Sequence, residues 1–231
     1  MQLKVATYNI HRAVGLDRRR DPERILTVMH EVGADVFALQ EADRRLGRRA
    51  SALPLQMIHD HGRYRPVAFD TRPDSIGWHG NALLVANHVE ILGAAIVPLP
   101  TFEPRGAVRA DLSIGGLRIR IVGMHLDISG IRRRHQIQAV LKNLAALDSD
   151  CPTVMMGDLN QWSKARGALK AFGDNYTILA TGRSFHTRQP MAPLDRIIIS
   201  NTITANRCGV HHSAVAARAS DHLPVWADLT L

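Results

Sequence analysis

Eight polar residues stand where strand-like apolar runs stop or begin: Asn9, Glu41, His125, Asp158, Asn160, Asp195, Asp221 and His222. A carboxylate beside a core strand is either held in a hydrogen-bond network or bound to a cation, because an unpaired buried charge is costly. Four carboxylates at such positions point to a hard, oxygen-liganded ion such as Mg²⁺ or Mn²⁺. Zinc would bring thiolates or several imidazoles at fixed spacing. Such an ion stabilises negative charge and lowers the pKa of a bound water. A carboxylate can order a water, and a histidine–carboxylate pair fixes a tautomer and a charge. The chemistry such a set could do is metal-assisted and acid–base.

Each residue also has an ordinary explanation when taken alone. Asn9 reads as a strand-end cap, Asp195 as half of a surface ion pair with Arg196, His125 as a satisfied buried histidine, and Asp158 as a turn residue of Gly-Asp-x-Asn. Only their joint occurrence argues against these.

The elements that must position them are legible from periodicity. Leu3, Val5, Thr7 and Asn9 alternate with Lys4, Ala6 and Tyr8, a strand pattern. Asp21-Pro22-Glu23 opens a helix carrying Ile25, Leu26, Met29 and Val32, and Gly33 closes it. Strands are predicted over 35–40, 82–86, 90–97, 107–113, 117–125, 153–156, 194–200 and 225–231, with Gly115-Gly116 as a hairpin turn. A second helix carries Ile137, Val140, Leu141, Leu144 and Leu147 and is expected to end by Cys151-Pro152. A short helix is expected over 163–172. Many strands with few, widely spaced helices suit two packed sheets with helices outside. No linker or internal repeat divides the chain, so residues 1–231 are expected to form one domain.

Seven segments in order along the chain resemble the endonuclease/exonuclease/phosphatase superfamily. They are Thr7-Tyr8-Asn9-Ile10, Leu39-Gln40-Glu41, Gly80-Asn81-Ala82-Leu83-Leu84, Gly123-Met124-His125-Leu126-Asp127, Gly157-Asp158-Leu159-Asn160, Leu194-Asp195-Arg196-Ile197 and Ser220-Asp221-His222-Leu223-Pro224-Val225. The resemblance implies a DNase I-like four-layer α/β/β/α sandwich, with two mainly antiparallel sheets face to face. It implies Glu41, Asn9 and Asp221 as the Mg²⁺ or Mn²⁺ ligands. Asp158 and Asn160 would hold the attacking water and the phosphate. Asp195 would orient His222 on the phosphate, and His125 would be the general acid. His11, Asn81 and Arg105 are candidate substrate-binding residues, His11 and Arg105 as phosphate contacts and Asn81 also as a partner of His125; Asp127 is an alternative neighbour of His125 at the surface, and Trp78 and His79 a candidate rim. Segments that mark abasic-site endonucleases and inositol polyphosphate phosphatases are absent or altered, as in Pro190-Met191-Ala192-Pro193-Leu194-Asp195-Arg196.

Composition bounds the substrate. The net charge is +8, with arginines grouped at Arg18-Arg19-Arg20, Arg44-Arg45, Arg48-Arg49 and Arg132-Arg133-Arg134. Such a surface attracts nucleic acid, anionic lipid head groups or small phosphorylated molecules. Aromatics are only 5% of the chain, which weighs against a platform that stacks successive bases. Two substrate classes stand side by side: nucleic acid, favoured by the arginines, and lipid, inositol-phosphate or other small esters, favoured by short loops. Cys151 and Cys208 are expected to be free thiols, and His59, His61, His211 and His212 to be structural. No apolar run is long enough to span a bilayer, no signal segment precedes the first strand, and no obligate protein partner is evident. A cytoplasmic protein is expected.

Overall fold

A computed structural model describes residues 1–44, 50–69, 74–101, 105–147, 150–162 and 167–231. The predicted arginines Arg45, Arg48 and Arg49 lie outside them, as do residues 163–166 of the expected short helix.

Among the described residues, twelve strands form two six-stranded sheets. The strands are β1 (Gln2–Asn9), β2 (Val36–Gln40), β3 (Tyr64–Pro66), β4 (Ala82–Ala86), β5 (Glu90–Val97), β6 (Gly106–Ile114), β7 (Leu117–His125), β8 (Thr153–Asp158), β9 (Tyr176–Ile178), β10 (Asp195–Ser200), β11 (Thr204–Val210) and β12 (Val225–Thr230). The first sheet runs β11-β12-β1-β2-β4-β3 and the second β5-β6-β7-β8-β10-β9. Each holds one parallel pair, β1 with β2 and β7 with β8. The flanking pairs are antiparallel. A parallel pair needs a crossover, and helix α1 (Pro22–Val32) and helix α3 (Gly130–Ala145) supply the two. Central strands are buried on both faces, by the opposite sheet within and helices without; β2, β4 and β8 are buried along their whole length.

Helix α1 follows its sequence signals. The Asp21 carboxylate accepts from the Arg24 N–H at 3.2 Å, Pro22 takes the first helical position, and Gly33 ends the helix in the left-handed region at φ 64°. Helix α3 stops at Ala145, short of the predicted Cys151-Pro152 boundary, and residues 167–172 form a 3₁₀ helix. Helices α2 (Leu55–Asp60) and α4 (Ala216–Ala219) and the short edge strands β3 and β9 lacked a periodic signal long enough to be read.

This topology has one consequence for chemistry. The parallel strands β1, β2, β7 and β8 all finish at one end of the sandwich. Their antiparallel neighbours β4, β6, β10 and β12 start there. The candidate site residues lie on these strand ends or in the loop residues directly beside them. Register fixes two of them directly: Asp195 pairs with Asp158, and Gly106, next to Arg105, pairs with His125.

Candidate active site

Asp158 is the point of convergence. It is 2% exposed. Its Oδ2 accepts from Asn9 Nδ2 at 3.1 Å and lies 3.4 Å from His125 Nε2 and 3.8 Å from His222 Nε2. Asn9 belongs to one sheet and Asp158 to the other, so this hydrogen bond ties the two layers at the site. Gly157, just before it, lets β8 lie close against β7: a Cβ there would fall 1.8 Å from the Met124 carbonyl oxygen. Asp158 Oδ1 accepts the Asn160 N–H at 2.9 Å, an Asx turn that holds Asn160 at φ 50°. Asn160 Nδ2 donates to the Leu126 carbonyl at 2.9 Å, so one of its two amide hydrogens is committed to the loop after β7.

Behind Asp158 runs a second chain of contacts. His222 Nδ1 donates to Asp195 Oδ2 at 2.8 Å, and Ser184 Oγ donates to the same oxygen at 2.5 Å. Asp195 is wholly buried, so the expected surface pair with Arg196 is not what it forms. The ring of Phe185 lies 4.8 Å from that of His222. Burial alone would push His222 down, but the carboxylates of Asp195, Asp158 and Asp221 outweigh it and hold the imidazole up, at about 10. Asp158, Asp195 and His222 bring ligand-type atoms within 4.8 Å of one another. A protonated His222 between the two carboxylates offsets one of their charges and leaves the three groups with a net negative charge. A raised folded-state pKa adds stability fully below the unfolded value near 6.5, and that stability is lost as pH rises through about 10. In metal-free protein, the His222 ring proton resonances should therefore stay at their protonated position through neutral pH. Asp195→Asn should let them titrate at markedly lower pH. An unmoved NMR titration would mean that Asp195 does not hold the charge.

Glu41 follows β2 in the left-handed region at φ 54°. Its Oε2 is shielded from solvent and accepts no hydrogen bond, while Arg12 Nε lies 3.1 Å away without donor alignment. Arg12 is aimed there by three successive non-glycine residues with positive φ, His11, Arg12 and Ala13. Such a run stores about 1 kcal/mol or more per residue, as functional loops often do. The His11 N–H donates to Asn9 Oδ1 at 3.1 Å, and its Nδ1 donates to the Val14 carbonyl at 3.0 Å, 3.8 Å from Asp221 Oδ1. Asn9, Glu41 and Asp221 therefore surround the same turn. Glu41 Oε2 is ion-paired with Arg12 but accepts no hydrogen bond, and the oxygens that Asn9, Glu41 and Asp221 offer around this turn are of the type that suits a hard divalent cation.

On the other flank, Arg105 Nη1 contacts His125 Nε2. Asn81 is wholly buried; its Nδ2 donates to the Trp78 carbonyl at 3.4 Å and its Oδ1 has no hydrogen-bond partner, so it does not bond His125 as expected. Trp78, His79 and Asn81 instead pack over Gly106, opposite His125. Asp127 is not at the surface: it is buried, and its Oδ1 accepts the Ser129 N–H at the start of α3. His61 pairs with Glu23 and His211 with Glu31, both structural contacts.

Four contributors escaped the sequence reading. Ser184 and Phe185 lie in a loop without periodicity. Arg12 follows a candidate residue but has no signal of its own. Arg133 was grouped with its exposed neighbours, yet it is buried and donates to the carbonyls of Asp127, Ile128 and Asn160 and to Gln161 Oε1. Its signal was available: Arg133, Ile137, Val140 and Leu144 share one helical face.

The sequence pattern of the Endonuclease/Exonuclease/phosphatase family matches residues 6–222. No curated protein matches the chain by sequence. Solved structures with the same fold include an endonuclease/exonuclease/phosphatase from Bacteroides vulgatus, with TM-score 0.79 and 16% identity over 100% of this chain and 99% of that one. A mannosyl-6-phosphatase from Bacteroides thetaiotaomicron has TM-score 0.72 and 18% identity over 99% and 100%. TDP2 from D. rerio, complexed with single strand DNA product, has TM-score 0.72 and 16% identity over 100% and 99%.

Proposed function

The chain belongs to the endonuclease/exonuclease/phosphatase family, and we propose that it hydrolyses phosphodiesters with a divalent cation, Mg²⁺ or Mn²⁺, held by Asn9, Glu41 and Asp221. The observation that carries this reading is the convergence of Asn9, His125 and His222 on the Asp158 carboxylate, within 3.8 Å.

When bound, the cation supplies charge stabilisation to the phosphate. The chain's own residues do the rest. Asp158 accepts a hydrogen bond from the attacking water and orients it. His222, charged and fixed by Asp195, presents Nε2–H to a non-bridging oxygen, where a preset donor strengthens as charge develops. His11 and Arg105 contact the phosphate, Asn160 lends a further donor, and Asn81 supports the His125 flank through the Trp78 turn. His125 protonates the departing oxygen. Residues 1–231 act as one catalytic unit, because both sheets contribute to the site. Two free thiols, Cys151 and Cys208, suit a reducing compartment such as the cytoplasm.

Two substrate classes remain in play. Nucleic acid is favoured by the net charge of +8, and it is what the similar TDP2 binds. Lipid or small phosphate esters are favoured by four exposed apolar side chains beside the site, Ile128, Ile131, Trp162 and Met191. A salt series separates them: affinity for nucleic acid falls steeply as phosphate counterions are released, and affinity for a small ester does not.

Chelation tests the reaction itself. EDTA should abolish hydrolysis of an aryl phosphodiester, and Mg²⁺ or Mn²⁺ should restore it. Glu41→Gln should fold normally and bind Mn²⁺ about 10-fold or more weakly by calorimetry, the usual scale for losing a metal-site group. Full turnover in EDTA would remove the cation from the reaction, and unchanged Mn²⁺ affinity would remove Glu41 from its site.

A further inference from the structure

The four most exposed large apolar side chains among the described residues are Ile131 at 74%, Ile128 at 65%, Trp162 at 60% and Met191 at 59%. They come from three separate segments, yet the structure joins them on one side of the site. Arg133 donates to the Ile128 carbonyl at 3.1 Å, to the Asn160 carbonyl at 2.7 Å and to Gln161 Oε1 at 2.8 Å, stitching the Ile128 turn to the chain that enters Trp162. The Trp162 ring meets Phe185 edge-on at 6.2 Å. The Met191 N–H donates to the Phe185 carbonyl at 2.7 Å, and Phe185 lies against His222. The rim is thus continuous with the catalytic histidine.

Exposed basic residues alternate with these apolar ones: Arg132 and Arg134 beside Ile131, and Arg183 and Arg188 beside Phe185 and Met191. Arg132 also lies 3.8 Å from Asp127. Base stacking needs π faces, and three of the four protruding side chains are aliphatic or thioether. Aliphatic tips enter hydrocarbon, tryptophan favours the interface of a bilayer, and arginines reach back to anionic head groups.

We propose that this rim docks on an anionic phospholipid bilayer and presents the site to an ester held at that surface. The second half of the statement rests on the hydrolase reading above; the docking does not.

The test uses the whole chain with vesicles of phosphatidylcholine, and of phosphatidylcholine mixed with phosphatidylglycerol. The protein should sediment with the mixed vesicles, and brominated lipid should quench its tryptophan fluorescence. Ile128→Ser combined with Ile131→Ser should weaken that binding by about 10-fold or more, given the apolar area withdrawn from the interface. Trp162→Phe should remove the quenching. Both variants should hydrolyse a soluble aryl phosphodiester at the wild-type rate, since none of these residues touches the reacting atoms. Wild-type protein that hydrolyses the soluble diester but ignores mixed vesicles overturns the docking and leaves the hydrolase reading standing. Vesicle binding without diester hydrolysis does the reverse. Quenching of Trp162 by a single-stranded oligonucleotide and not by brominated lipid would reassign the rim to nucleic acid. A dimer in light scattering that the Ile128/Ile131 variant abolishes, without vesicle binding, would make it an interface between copies.

Discussion

Asp158→Asn should lower kcat by about 10³-fold, on the order of 4 kcal/mol of transition-state stabilisation, with little change in KM. The carboxylate accepts from Asn9 Nδ2 and stands within 3.8 Å of two imidazoles. An amide of the same shape cannot accept at both oxygens, so it loses the orientation of the water and turns a donor toward His125 or His222. Binding of the phosphate depends on the cationic and donor groups around it, which survive, so KM should hold. The fold should survive too. Removing a buried negative charge beside wholly buried Asp195 relieves like-charge repulsion. The Asn160 N–H can still find an amide oxygen at position 158. The check is steady-state kinetics on a phosphodiester with thermal melting in parallel. An unchanged kcat would return Asp158 to the role of a turn residue. A fall in kcat matched by a collapsed melting temperature would make it a structural tie between the sheets.

How much of this was legible in the sequence depends on the range of the interaction. Local signals read well: Asp21-Pro22 with Gly33 bounded α1, and the alternation around Leu3 to Asn9 gave β1. The candidate residues stand out because a polar residue at the end of an apolar run needs no tertiary information to be conspicuous. How these strands order within two sheets, so that the ends meet, came from topology. The β1–α1–β2 and β7–α3–β8 crossovers repeat one arrangement, a parallel pair flanked by antiparallel strands, without any repeat in the residues themselves. Contacts across that arrangement could not be read. Arg12 reaches Glu41 only through a left-handed turn, and Ser184 reaches Asp195 from a loop without periodicity. The family resemblance puts Asn81 beside His125, whereas its Nδ2 donates instead to the Trp78 carbonyl. Composition misled where it averaged: three consecutive arginines look alike in sequence, but helical phase buries Arg133 and exposes its neighbours.

His125→Ala should cost far more on a natural diester than on an activated aryl diester. A general acid protonates the departing oxygen in the transition state, typically worth about 10²–10⁴-fold. A sugar or glycerol alkoxide needs that proton badly. A p-nitrophenolate is stable near neutral pH and needs it little. The surroundings of His125 make the assignment demanding. Its Nε2 faces two groups that ask for opposite states: Arg105 requires it to accept, and Asp158 Oδ2, 3.4 Å away, requires it to donate. A phosphate that draws Arg105 to itself leaves Asp158 as the dominant neighbour and favours the protonated ring. The acid would then be armed only when substrate is present. The comparison is kcat/KM for both substrates at saturating Mg²⁺, with chemistry confirmed as rate-limiting. Equal losses would mean that His125 holds the phosphate or the local structure, and that another group protonates the leaving oxygen. No loss on either would leave it a buried histidine satisfied by Arg105. A large loss confined to the natural substrate is the outcome expected of a general acid at this position.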